Sequence, residues 1–225
     1  MALSNMVTLK SNVIFPLTIN LYVLSLMCIL TSSVTSQDQQ LANWPQWRGP
    51  HSTGAADGQP PIEWSETKNV QWKLAIPGKG HSTPVVWKNH LFITTALDIG
   101  EAILPRRSGR PGAHDNLAVT HKQRYIAMAI DRKKGTVLWN TTVNEQIPLE
   151  GGHDSASLAS HSPATDGKYL YAFFGSAGLY CLDFHGKIMW QKNFGHMHSK
   201  HGHGEGSSPV LFQDKLFINW DHEGQ

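Results

Sequence analysis

The chain has 225 residues, 40% of them hydrophobic and 16% charged, with a formal net charge of +2. That balance belongs to a globular protein and excludes a disordered one, and it offers no charge excess for nucleic acid or an anionic surface. The first 36 residues hold one charged side chain, Lys10, so the remainder carries 18 basic and 17 acidic residues.

Residues 13–30 form an 18-residue apolar run, and Val34, Thr35 and Ser36 supply small residues ahead of Gln37. Residues 1–36 are therefore expected to be a signal peptide, which places the protein in the periplasm or outside the cell. The run is close to the roughly 17-residue minimum for crossing a bilayer. An uncleaved anchor is thus the alternative, and the only membrane contact expected. Pro16 and Asn20 interrupt the run, and Leu26 and Met27 before Cys28 are too bulky for a lipoprotein cleavage box. Cys181 then stands alone in the mature chain, so no intramolecular disulfide can form.

Residues 37–69 read as irregular, rich in proline and glycine, with tryptophans at 44, 47 and 64. Linkers rarely carry that much aromatic surface, so the segment is expected to lie against the folded body. From residue 70 onward the chain becomes a run of short strands. A first strand is expected over 70–76, around Trp72, and ends at Pro77 and Gly78. A strand approaching Pro84, a turn at Lys88 and Asn89, and an aromatic-rich strand from His90 follow. The same pair returns around Pro163 with a turn at Asp166 and Gly167, and again around Pro209 with a turn at Gln213 and Asp214. Three copies of one pattern argue for a repeated hairpin.

A second motif recurs beside it. Ala129, Asp131, Gly135 and Trp139 set out a strand ending in Asp, a glycine-closed turn, and a strand with Trp four residues after the Gly. Cys181, Asp183, Gly186 and Trp190 repeat the plan with a shorter turn. Cys181 takes the place of Ala129, which marks it as a small buried strand residue and not a reactive thiol. Each full unit reads as four strands, and 46 residues separate Pro163 from Pro209, the length of one propeller blade. The first unit is longer because residues 98–123 interrupt it. That insertion is a surface loop, and Arg106, Arg107 and Arg110 within it read as solvated.

The expected fold is all-β, a propeller of four-stranded antiparallel blades, with residues 70–225 forming part of the ring. A closed ring needs at least four blades, whereas about two and a half are written here. The chain is therefore expected to be the N-terminal piece of a propeller of seven or eight blades.

Ala129, Asp131, Gly135 and Trp139 resemble the tryptophan-docking motif of the pyrroloquinoline-quinone (PQQ) repeat propellers, the quinoprotein superfamily. Asp183, Gly186 and Trp190 match it with the shortened turn, and Trp72 resembles its end. The opening around Trp44 and Trp47 is similar to the aromatic N-terminal segment of those proteins. The resemblance implies that the Trp set is structural, each ring stacking on the turn of a neighbouring blade. It also implies two functional classes. One is the dehydrogenases, which hold PQQ and calcium on the propeller axis and oxidise alcohols or sugars. The other is the non-catalytic scaffolds, among them the periplasmic lipoprotein of the outer-membrane barrel-assembly machinery.

Fold alone does not choose between them. No Cys-Cys pair and no Cys-x-x-Cys-His haem site occur, and Asp131, Asp183 and Asp214 are absorbed in turns. The leading reading is an exported binding or scaffold module acting through its loops and channel mouth. It would take a protein or small-molecule ligand and no nucleic acid. A PQQ- and calcium-dependent dehydrogenase is the alternative, and the cofactor stays open with it. No residue is assigned as catalytic, cofactor-binding or metal-ligating.

His81, His161 and His203 each approach the start of an innermost strand, and with His201 and Glu205 they are expected at the channel mouth. The loop with His196, His198, His201 and His203, near Met197 and Glu205, offers ligands suited to zinc or copper. The competing reading is a glycine-rich loop whose imidazoles satisfy backbone groups or line the channel.

Overall fold

The computed structural model describes residues 43–223 except 57 and 110. The expected signal peptide lies outside those residues. Apart from two 3-10 turns, the described secondary structure is all strand.

The first sheet holds β1 (Val85–Trp87), β2 (His90–Ile99), β3 (Lys122–Asp131) and β4 (Val137–Gln146), paired in that order and antiparallel throughout. The second holds β5 (Ala164–Thr165), β6 (Tyr169–Phe173), β7 (Leu179–Asp183) and β8 (Ile188–Lys192) in the same order. A hairpin of β9 (Val210–Phe212) and β10 (Lys215–Phe217) begins a third sheet.

The inner strands are shorter than the sequence pattern suggests, because each opens on a proline that has no N–H to give a ladder. Conversely β2 runs on to Ile99, so the insertion narrows to residues 100–121.

The core lies between the first two sheets. Tyr125, Ala127 and Ala129 of β3 face Leu170, Ala172 and Leu182, with Phe92 and Phe174 filling the space between. The alanines let the two sheets approach closely. Ile126, Met128 and Ile130, on the opposite face of β3, are buried as well. A strand covered on both faces becomes a near-continuous apolar run, as β3 is. Cys181 is 1% exposed on β7, and burial pushes its thiol up to about 11.

The repeated motif folds the same way twice. Asp131 Oδ1 accepts from the backbone N–H groups of Lys133 and Lys134 at 2.9 and 2.8 Å. Asp183 Oδ1 accepts from His185 and Lys187, both at 2.9 Å. Those backbone donors hold both carboxyls below the usual carboxylate range. After each turn the pairing slips by one residue, between Ala129 and Ile130 and again between Cys181 and Leu182. The bulge falls just before each Trp and re-aims it.

Trp139 uses that aim. Its indole N–H donates to Phe184 O at 2.8 Å, and its ring covers Gly186, where an added Cβ would stand 2.7 Å away. Thr141 Oγ1 donates to Gly186 O at 2.7 Å alongside. Trp72 docks likewise on the first sheet: its indole donates to Arg132 O at 2.9 Å and its ring lies over Gly135. Residues 70–76 are not a strand, however, because among the described residues no strand runs beside them to complete a ladder. Trp190 differs again. It is 45% exposed and meets Tyr171 at a ring distance of 6.0 Å, with no glycine turn beneath it among the described residues. The third sheet, as described, has only its inner hairpin.

The aromatic N-terminal segment divides. Trp44 pairs with Val86 through two backbone bonds of 2.8 Å, and Pro45 O accepts from Thr165 N–H at 2.8 Å. Gln46 Oε1 accepts from Leu211 N–H at 2.9 Å. Three successive residues thus reach the innermost strands of three successive sheets. Trp64, by contrast, is 75% exposed and does not lie against the body.

Candidate functional site

Three loops emerge at one end of the sheets: the insertion 100–121, the segment 147–163 before β5, and the segment 193–209 before β9. Main-chain bonds join them. Leu117 N–H donates to Gly152 O at 2.9 Å, Asp154 N–H to Asp115 O at 2.8 Å, and His153 N–H to His203 O at 3.0 Å. Asn116 Nδ2 adds a bond of 2.8 Å to His201 O. Arg106 and Arg107 are not simply solvated: Arg106 donates to the carbonyls of Pro148 and Leu149, and Arg107 to Asn116 O. Loop carbonyls without a ladder partner recruit both guanidinium groups.

The five residues expected at the channel mouth do not converge. His81 is exposed and borders a cleft of about 580 Å³ beside the innermost strands. His161 lines a different space, 2% exposed, with its ring 4.8 Å from that of Phe173 and neither nitrogen hydrogen-bonded among the described residues. Burial lowers its pKa to about 4. Glu205 lines the same small internal cavity as His161 and accepts from the backbone and hydroxyl of Ser176, each at 2.6 Å. Desolvation nevertheless raises its carboxyl above the usual range. Ser176 Oγ accepts in turn from Met197 N–H at 2.7 Å, so Glu205 fastens its loop to the 3-10 turn Gly175–Ala177.

His201 and His203 lie elsewhere again. His201 Nδ1 sits 2.8 Å from Pro111 O. His203 faces His114 and His153 across ring distances of 4.9 and 5.4 Å. Desolvation and then the neighbouring imidazoles, His114 first, hold His203 below the usual histidine range. His198 belongs to a separate contact, 3.3 Å from Glu150.

The cleft beside the innermost strands has a lining that sequence reasoning missed. Thr83 N–H donates to Ser162 Oγ at 2.8 Å, and Ser162 N–H to Ser208 Oγ at 2.9 Å. Each of these residues precedes the proline that opens an inner strand, so the Ser162 and Ser208 hydroxyls each accept from the sheet before. The signal was present as Thr83-Pro84, Ser162-Pro163 and Ser208-Pro209, a hydroxyl residue before proline three times over. Trp47 and Phe217 flank the row, with Asn219 and His81 near them. Among the described residues no carboxylate, lysine or arginine lines this cleft.

Two four-stranded antiparallel sheets in series, the first locked to the second by Trp139 over the Gly186 turn, with Trp72 docked the same way over Gly135, define a PQQ-repeat β-propeller architecture. A family model described as outer membrane protein assembly factor BamB matches residues 55–205, and the chain belongs to that family. No curated protein matches it. Among the described residues no helix is long and apolar enough to cross a membrane.

Proposed function

We propose that the protein is an exported propeller module that binds a partner protein at its inner cleft and the joined loops around it, and performs no redox chemistry of its own. One observation carries this reading. The cleft presents hydroxyl, indole, phenyl and amide groups and, among the described residues, no carboxylate. Calcium binds through several converging oxygens, carboxylates prominent among them, so this surface suits an uncharged polar segment better than a quinone with its calcium ion. Trp47, 52% exposed at the rim, is the kind of aromatic anchor that dominates binding surfaces. The description of the matching family, an assembly factor for outer membrane proteins, supports an unfolded barrel polypeptide as the partner to try first.

The test uses the full chain and a fluorescent unfolded outer-membrane barrel protein, with binding read by anisotropy. Saturable binding that Trp47→Ala weakens about tenfold or more, and Trp64→Ala leaves unchanged, supports the proposal. Turnover of a redox dye after addition of PQQ and calcium would overturn it in favour of the dehydrogenase.

A further inference from the structure

We propose that His114, Asp115, His153 and His203 bind one divalent transition-metal ion, zinc or copper, which pins the insertion to the two loops that lead into β5 and β9. A ring nitrogen of His114, a ring nitrogen of His153 and a carboxylate oxygen of Asp115 all lie within 4.8 Å of one another. Ligand atoms on a tetrahedral zinc stand about 3.3 Å apart, given metal–ligand distances of about 2.0–2.1 Å. The His114 Nδ1 to Asp115 Oδ2 distance, 3.0 Å, already matches. His114 is an exposed side chain that can turn to close the remainder.

His203 supplies the fourth donor and the independent indication. Its Nε2 is buried and has no hydrogen-bond partner among the described residues. A ring nitrogen shut away from water without a partner is unfavourable, and coordination removes that cost. Its ring stands 4.9 Å from that of His114 and 5.4 Å from that of His153, with 6.4 Å between the latter two. The three rings therefore form one close group.

The surroundings are those of a held site. His153 Nδ1 lies 2.8 Å from Ser155 Oγ, accepts from Ser155 N–H at 3.2 Å and stands 3.0 Å from Asp154 Oδ1, contacts that hold the ring in place. Three backbone bonds link the ligand-bearing loops and fix where the four side chains start: Asp154 to Asp115, His153 to His203, and Leu117 to Gly152. His201 stands outside the set because its Nδ1 is already engaged by Pro111 O. Three imidazoles and one carboxylate favour zinc or copper over calcium or magnesium, which take oxygen shells. Four protein ligands leave no open position, so the ion is structural and ties together segments 114–115, 153 and 203.

The experiment is a titration of chelator-stripped full chain with zinc against a chromophoric chelator, with cobalt as a spectroscopic stand-in. One zinc per chain is expected, together with the intense visible bands of tetrahedral cobalt. His114→Gln and His203→Ala should each weaken binding by at least about 100-fold, the upper end of what loss of a merely supporting partner costs. His196→Ala and His198→Ala should leave it unchanged. Circular dichroism identifies any variant that fails to fold, and Asp115→Asn provides a second exposed ligand change. Absence of saturable zinc binding overturns the proposal. So does binding that survives in the His114 and His203 variants but disappears with His196 or His198. Neither result bears on the barrel-polypeptide assay, which reads Trp47 at the inner cleft.

Discussion

At the scale of single residues, two tryptophans in equivalent places have unequal surroundings. Trp139 caps Gly186 and donates to Phe184 O, whereas Trp190 is 45% exposed. Trp139→Ala is expected to cost about 3–5 kcal/mol, as loss of a large packed aromatic does. Trp190→Ala should cost under about 1 kcal/mol in this chain, as changes at exposed sites do. Denaturant midpoints of the two variants check the contrast. His161 provides a second residue-scale prediction. Its folded-state pKa, lowered to about 4 by burial, lies below the ordinary value of 6.5. Above pH 6.5 the imidazole is neutral in both states. As pH falls from about 6.5 towards 4, the unfolded chain takes up a proton that the folded chain refuses, and stability drops by on the order of 3 kcal/mol. Glu205, whose raised carboxyl lines the same cavity as Glu150 and His161, shifts stability in the opposite sense. The difference between the wild type and His161→Leu in unfolding across that window isolates the histidine. The variant should lose the acid-side decline.

At the scale of elements, the recurring Asp, Gly and Trp positions were legible in the sequence because each serves a local geometric need. Asp closes a turn through backbone donors, Gly admits an indole above it, and Trp crosses to the next sheet. The strand expected at 70–76 was not formed, although Trp72 docks as its motif implied: a ladder needs a neighbour, which a local pattern does not report. The imidazole cluster was illegible for a related reason. His114 comes from an insertion without any period, and His153 and His203 follow from loops 39 and 89 positions further on. Bonds between those loops, most of them main-chain, bring the rings together, and of the dense run from His196 to His203 only His203 joins the cluster. The hydroxyl row was written plainly but overlooked, since Ser and Thr before Pro read as ordinary strand starts. It predicts that Ser162→Ala, which leaves Thr83 N–H without its acceptor, costs about 1–2 kcal/mol. Thermal unfolding measured beside wild type checks the figure.

At the scale of the whole molecule, three kinds of contact join successive sheets. The Trp139 indole locks the outer strand of the first sheet to the second, hydroxyls link the inner strands, and residues 44–46 run across the innermost strand of each sheet. The outer contact is the largest in buried apolar area, because a Trp side chain covers roughly 150–250 Å² where a serine bond covers little. Series stability in such repeats comes from terms between neighbours more than from any unit alone. The central claim is that indole docking on the next turn holds consecutive blades together. Hydrogen exchange of the indole N–H groups, followed by NMR, tests it most directly. Trp72 and Trp139 should exchange slowly, protected by Arg132 O and Phe184 O, while Trp190 exchanges fast. A Trp139 indole that exchanged as quickly as that of Trp190 would contradict the account.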